Sequence, residues 1–179
     1  MGGGALGLLA LGGTATAQSE PGIVDQPAPE LTLDLWLGAD GGPATFSLAE
    51  SRGKWVFLKC FQAWCPGCHS SGFPTLVKMQ DAFEGNDGIA MAAIQTTFEG
   101  FSTNTVDKIP EIRERYGLRM PIGHDQGDPD GDHRPRTMID YRTGGTPWLV
   151  LIDPGGLVLY NGFHANAEKM IEYLQTQIG

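Results

Sequence analysis

Leu31, Leu33, Leu35 and Leu37 alternate with more polar positions, a period of two that predicts a half-buried strand over residues 31–37. A turn at Asp40-Gly41-Gly42 then leads into a short second strand, Phe46-Ser47-Leu48. From Trp55 to Phe61 the chain is apolar on both parities except at Lys59, the pattern of a central strand covered on both faces. That run feeds almost directly into Ala63-Trp64-Cys65-Pro66-Gly67-Cys68-His69. Beyond it, Phe73, Leu76, Val77, Gln80 and Phe83 trace an i, i+3, i+4 helical stripe with one polar interruption. Pro74, with Gly72 two residues earlier, should kink this helix.

Ile89 to Ile94 is a second buried strand, and residues 104–116 read as a helix that Pro110 splits into two shorter pieces. Met120-Pro121-Ile122 suggests a brief edge strand, residues 125–136 a polar loop, and Thr137 to Tyr141 one helical turn. Trp148 to Ile152 is a strand, Asp153-Pro154-Gly155-Gly156 a turn, and Leu157 to Tyr160 an antiparallel partner. Asn166 opens a last helix whose Met170, Ile171, Leu174 and Ile178 face the sheet. The result is an α/β domain, a central mixed sheet flanked by helices, with an N-terminal β extension.

With 179 residues the chain suits one domain. Gly2 to Gly13 is small and apolar, and Ala15-Thr16-Ala17 fits a small-x-small cleavage site, so residues 1–17 read as a signal peptide and the protein as periplasmic or otherwise exported. The basic n-region such signals carry is missing, since no Lys or Arg precedes Arg52. The apolar run is short for a membrane span, so membrane contact is expected only if this segment stays uncleaved. Residues 18–30, with Pro21, Pro27 and Pro29, read as a linker, and residues 31–179 as the domain. A net charge of −9 without a Lys/Arg cluster argues against nucleic-acid binding and leaves proteins or small thiols as partners.

Chemistry concentrates at Cys65-x-x-Cys68. A strand that runs into a helix start puts Cys65 among unpaired backbone N–H groups at the positive end of the dipole, which favours its thiolate and lowers its pKa into a range of roughly 3.5–7.5. One turn on, Cys68 lies on the same face, placed to resolve a mixed disulfide formed at Cys65. Pro66 suits the first helical position. The same residues admit other readings: Cys65-x-x-Cys68-His69 is formally a c-type haem attachment sequence, two thiols and His69 could hold zinc, and the pair could be a purely structural disulfide. The exit from a buried strand speaks against haem, the lack of a second ligand pair against zinc, and the short loop against a stabilising bridge. No cofactor or metal is required. Cys60 makes the count odd and reads as a buried, unreactive thiol. Asp128, Asp130 and Asp132 lack the Gly and Glu placement of a calcium loop, and His124, His133 and His164 lack ligand spacing.

The order β-α-β-α-β-β-α, with Trp64-Cys65-Pro66-Gly67-Cys68 at the first βα junction and Gly144-Gly145-Thr146-Pro147 entering a strand, resembles the thioredoxin superfamily. Its N-terminal strands are similar to those of the exported TlpA-like redoxin branch, which includes thiol-disulfide oxidoreductases of cytochrome maturation. The resemblance implies a thioredoxin-like fold and protein or small-molecule thiol and disulfide substrates, with a membrane electron donor as a further partner. It implies Cys65 as nucleophile, Cys68 as resolving thiol, Trp64 as a shield, and Thr146 and cis-Pro147 in a groove for extended substrate. Three departures stand out. Lys59 occupies the position, six residues before Cys65, where thioredoxins usually bury an Asp, and neither Ser71 nor Gly72 supplies the helical Glu of exported relatives. Pro74 lies one residue further from Cys68 than in the family pattern, which implies a local bulge. Lys59 could tune the pair by favouring thiolate, and His69 could exchange protons near neutral pH. A rival reading as a thiol peroxidase lacks its Pro-x-x-x-Thr/Ser-x-x-Cys arrangement, because Leu58 and Gln62 hold those positions.

Overall fold

The computed structural model describes residues 21–33 and 35–178; the expected signal segment lies outside the described residues. The elements are β1 (Leu35–Leu37), β2 (Trp55–Phe61), a π-helical turn (Cys68–Gly72), α1 (Phe73–Ala82), β3 (Ile89–Thr97), α2 (Lys108–Tyr116), β4 (Ile122–Gln126), α3 (Arg136–Asp140), β5 (Trp148–Ile152), β6 (Val158–Gly162) and α4 (Ala167–Ile178). Among them the sheet order is β1-β4-β3-β2-β5-β6. β3 runs parallel to both β2 and β4, while β1, β5 and β6 pair antiparallel with their neighbours. This is the thioredoxin-like fold, a mixed sheet flanked by helices.

β2 is central, and all seven of its residues are buried. Its alternation divides the core. Trp55, Phe57 and Phe61 join Cys65, Cys68, Phe73, Leu76, Ile109 and Leu174 on one face. Val56, Leu58 and Cys60 join Ile23, Trp36, Tyr141, Trp148 and Val150 on the other. α4 is capped as expected, with Asn166 Oδ1 accepting the Lys169 N–H at 2.9 Å.

Several elements differ from their sequence expectation for definable reasons. Within the strand expected over 31–37, Leu35–Leu37 forms β1, and Leu31 to Leu33 are not part of it. Phe46-Ser47-Leu48 forms no strand and leads into a turn that begins at Leu48, because the Glu30 carboxylate accepts the N–H groups of Leu48 and Ala49 at 2.8 and 2.9 Å in place of a ladder. The expected edge strand at 120–122 is instead the inner strand β4, whose residues 122–126, including the polar His124, Asp125 and Gln126, pair with Ala93–Thr97 of β3. Asp125 on that strand accepts the Thr137 N–H at 2.7 Å and so anchors the start of α3. α2 is one piece, with Pro110 in its first turn, where a missing N–H costs nothing. From Pro21 onward the segment read as a linker lies against the domain: Asp25 and Ala28 donate backbone hydrogen bonds to Val158 and Gly156, and Tyr141 donates its hydroxyl to the Pro29 carbonyl at 2.6 Å.

Candidate active site

The chain leaves β2 at Phe61 and reaches Cys65 through Gln62-Ala63-Trp64, at the carboxyl end of the central strand. Ala63 is held from both sides. Its N–H donates to Asn104 Oδ1 at 2.7 Å, and its carbonyl lies 2.6 Å from His69 Nε2. Asn104 is fully buried, and its Nδ2 donates to the carbonyls of Glu99 and Gly100. A carbonyl can only accept, so His69 carries its proton on Nε2, and Nδ1 then accepts from the Tyr116 hydroxyl at 2.6 Å. Both ring nitrogens are engaged, which leaves His69 in a supporting role rather than on a free helix face.

The Cys68 N–H donates to the Cys65 sulfur at 3.3 Å and to the Cys65 carbonyl at 3.1 Å. All three cysteines are free thiols. Cys65 is 7 % exposed, and Cys68 is closed off completely. Burial pushes the Cys65 pKa up, but hydrogen bonds from Cys68 and Thr146 and the charge of Lys59 outweigh it, and the net shift is below the ordinary thiol value. Cys68 goes the other way: burial raises it to about 11 against the pull of Lys59. The environments thus separate the thiols into one that ionises readily and one that holds its proton.

The π-helical turn realises the bulge implied by the displaced proline. Phe73 N–H bonds to the Cys68 carbonyl, an i to i+5 link that admits the extra residue before Pro74. Pro74 sits just beyond, in the first turn of α1. The Thr146-Pro147 bond is cis, and its loop lies against this turn. The Cys65 sulfur is 3.5 Å from the Thr146 carbonyl. Glycines make the approach possible: a Cβ on Gly67 would come within 3.1 Å of Pro147 Cδ, and one on Gly72 within 2.8 Å of Pro147 Cβ. Trp64, 47 % exposed, and Phe163, 40 % exposed, flank a cleft of about 300 Å³ that also takes in Cys65, Gly145 and Thr146.

Lys59 is fully buried on the same face of β2 as the pair; its Nζ donates to the Cys60 carbonyl at 3.2 Å and lies 5.5 Å from the centre of the Phe73 ring. Cys60 points to the opposite face, packed with Leu58, Tyr141 and Trp148, and burial pushes its pKa up to about 12. The sheet therefore separates it from Cys65 and Cys68. In the acidic loop Asp132 is taken up by Arg134, and among the described residues no cluster of three metal-ligating side chains forms. Asn104, Gly72 and Phe163 carried no sequence signal: an amide in a polar stretch, a glycine noted only beside a kink, and an aromatic after a hairpin look alike in many chains.

A family model described as the AhpC/TSA family matches residues 24–160. The chain belongs to the AhpC/TSA family. This redoxin is 32 % identical to a thioredoxin-like superfamily protein of known structure, covering 85 % of this chain and 95 % of that one, with a TM-score of 0.74. It is 25 % identical to a thiol-disulfide isomerase from Corynebacterium glutamicum over 84 % of this chain and 96 % of that one, with a TM-score of 0.69. A proposed thiol:disulfide interchange protein DsbE from Chlorobium tepidum, at 23 % identity, 89 % and 99 % coverage and a TM-score of 0.62, shares the fold. No curated protein matches the chain in sequence. The AhpC/TSA member is thus homologous to thiol-disulfide oxidoreductases of the thioredoxin superfamily.

Proposed function

We propose that the protein is an exported thiol-disulfide oxidoreductase working through Cys65 and Cys68. The observation that carries this reading is the asymmetry of the two thiols, one poised for ionisation at the mouth of a cleft and one buried and protonated a single turn away. In the reducing direction the Cys65 thiolate attacks a substrate disulfide, forming a mixed disulfide and expelling one substrate sulfur, which takes a proton. Cys68 then loses its proton and attacks the Cys65 sulfur. The Cys65–Cys68 disulfide forms, and the second substrate sulfur leaves as a thiol. Two electrons pass from the pair to the substrate, and the reverse sequence oxidises a dithiol. Thr146 and Pro147 border the cleft where an extended substrate would lie, Trp64 and Phe163 offer it aromatic walls, and His69 keeps Ala63, and with it Cys65, in position.

Export rests on the apolar segment that ends at Ala15-Thr16-Ala17, and among the described residues no helix is long and apolar enough to cross a membrane. Thiol peroxidase chemistry is the less favoured reading: Gln62, at the position where a peroxidase needs a hydroxyl, donates to the Glu99 carbonyl at 3.3 Å instead. The test is trapping. Cys68→Ser is expected to accumulate mixed disulfides with protein thiols, released by reductant, whereas Cys65→Ser traps none. Equal trapping by both variants would contradict the assigned roles.

A further inference from the structure

Burying a cation in a protein core is costly unless an anion or several hydrogen-bond acceptors compensate it. Lys59 has neither in full. An ammonium carries three N–H donors, and Lys59 spends one on the Cys60 carbonyl and turns toward the Phe73 ring. Among the described residues no carboxylate pairs with it; the titratable groups that act on it are Cys68 and Cys65 from the helix start and Cys60 from its own strand. Pro147, which meets the same glycine, brings no charge. Space for the ammonium is built in, since a Cβ on residue 72 would collide with Lys59 Nζ. Glycine in the π-helical turn that starts at Cys68 therefore leaves room for a positive charge on the face of the sheet that carries both sulfurs.

We propose that Lys59 is a positioning residue that holds its charge against the thiolate created by reduction, and so favours the reduced pair over the disulfide. The inference rests on the thiol-disulfide reading of Cys65 and Cys68. With the pair oxidised, a substrate thiolate attacks the Cys65 sulfur, and Cys68 departs with the electron pair of the broken bond and takes up a proton. The second substrate thiolate then displaces Cys65, which leaves as a thiolate. The substrate becomes a disulfide and the pair gains two electrons; of the two substrate protons, one ends on Cys68 and one in solvent. In the reduced pair Cys68 is protonated and the Cys65 thiolate gains from the ammonium, whereas a disulfide gains nothing from it. Lys59 thus biases the pair toward accepting electrons.

The test is the equilibrium constant of the Cys65–Cys68 couple against glutathione, measured on the full chain for the parent, Lys59→Met and Lys59→Gln. Both neutral variants are expected to favour the disulfide by about tenfold or more relative to the parent, about 30 mV for a two-electron couple. In both, thiolate absorbance should show Cys65 titrating at higher pH. Either neutral variant suffices if the other does not fold. An equilibrium constant within twofold of the parent, with Cys65 titrating unchanged, would overturn the inference while leaving exchange through Cys65 intact. A parent that forms no such couple would remove the underlying reading as well.

Discussion

Lys59 is a residue whose location contradicts its solubility. Desolvation lowers its pKa from 10.5 to about 8, against the smaller pull of the nearby cysteines. The unfolded chain keeps the lysine proton to higher pH than the folded one, so between about 8 and 10.5 the unfolded state binds more protons and stability at this residue rises with pH. Below that window the charged form costs the fold about 3 kcal/mol, because each tenfold loss of proton affinity on folding is worth about 1.4 kcal/mol. Reduced Lys59→Met is therefore expected to be more stable than the parent by about that amount at neutral pH. The gain should shrink as pH rises toward 10.5. Urea midpoints of the two proteins across that range check it, and a difference that stays constant would contradict the burial of the charge. The fold tolerates a destabilising residue beside the thiols, a pattern common at functional sites.

At the scale of elements, the site is made by the junction of β2 with the π-helical turn and by two clamps on Ala63. Asn104 comes from the segment between β3 and α2, and His69 from the turn itself. Removing the Asn104 amide leaves the half-buried Ala63 N–H without its acceptor and takes one donor from the Glu99 and Gly100 carbonyls, which keep the Gln62 amide and the Thr103 N–H, a loss of about 1 kcal/mol. Asn104→Ala should lower the urea midpoint accordingly and slow disulfide exchange through looser placement of Cys65; stability and rate both equal to the parent's would refute the clamp. Much of this junction was legible in the sequence. The apolar run Trp55 to Phe61 read as a buried strand, Cys65-Pro66-Gly67-Cys68 was expected to open a helix, and the family resemblance turned the displaced Pro74 into an expected bulge. β4 was not legible, because His124, Asp125 and Gln126 hold their place in the sheet through backbone pairing with β3 and through the Asp125 contact with α3. Asn104 was hidden for a related reason: its partners come from residues 63, 99 and 100, which only the folded chain brings together.

Over the whole molecule, the sheet acts as a partition. One face carries Cys65 and Cys68, proposed as the redox pair, with Lys59 and the helices α1 and α4; the other sequesters Cys60 behind Tyr141 and Trp148 and is covered by residues 23–31. The pair sits outside the carboxyl end of the central strand, the usual location of sites in α/β sheets. There it opens to a cleft whose exposed aromatics suit a polypeptide. The most direct measurement of the whole account is a redox titration of the purified protein against glutathione, with the oxidised fraction read by thiol alkylation and mass. The expected result is a single two-electron transition confined to Cys65 and Cys68, lost in Cys65→Ser and unaffected by Cys60→Ala. A transition that survives Cys65→Ser, or one that involves Cys60, would contradict it.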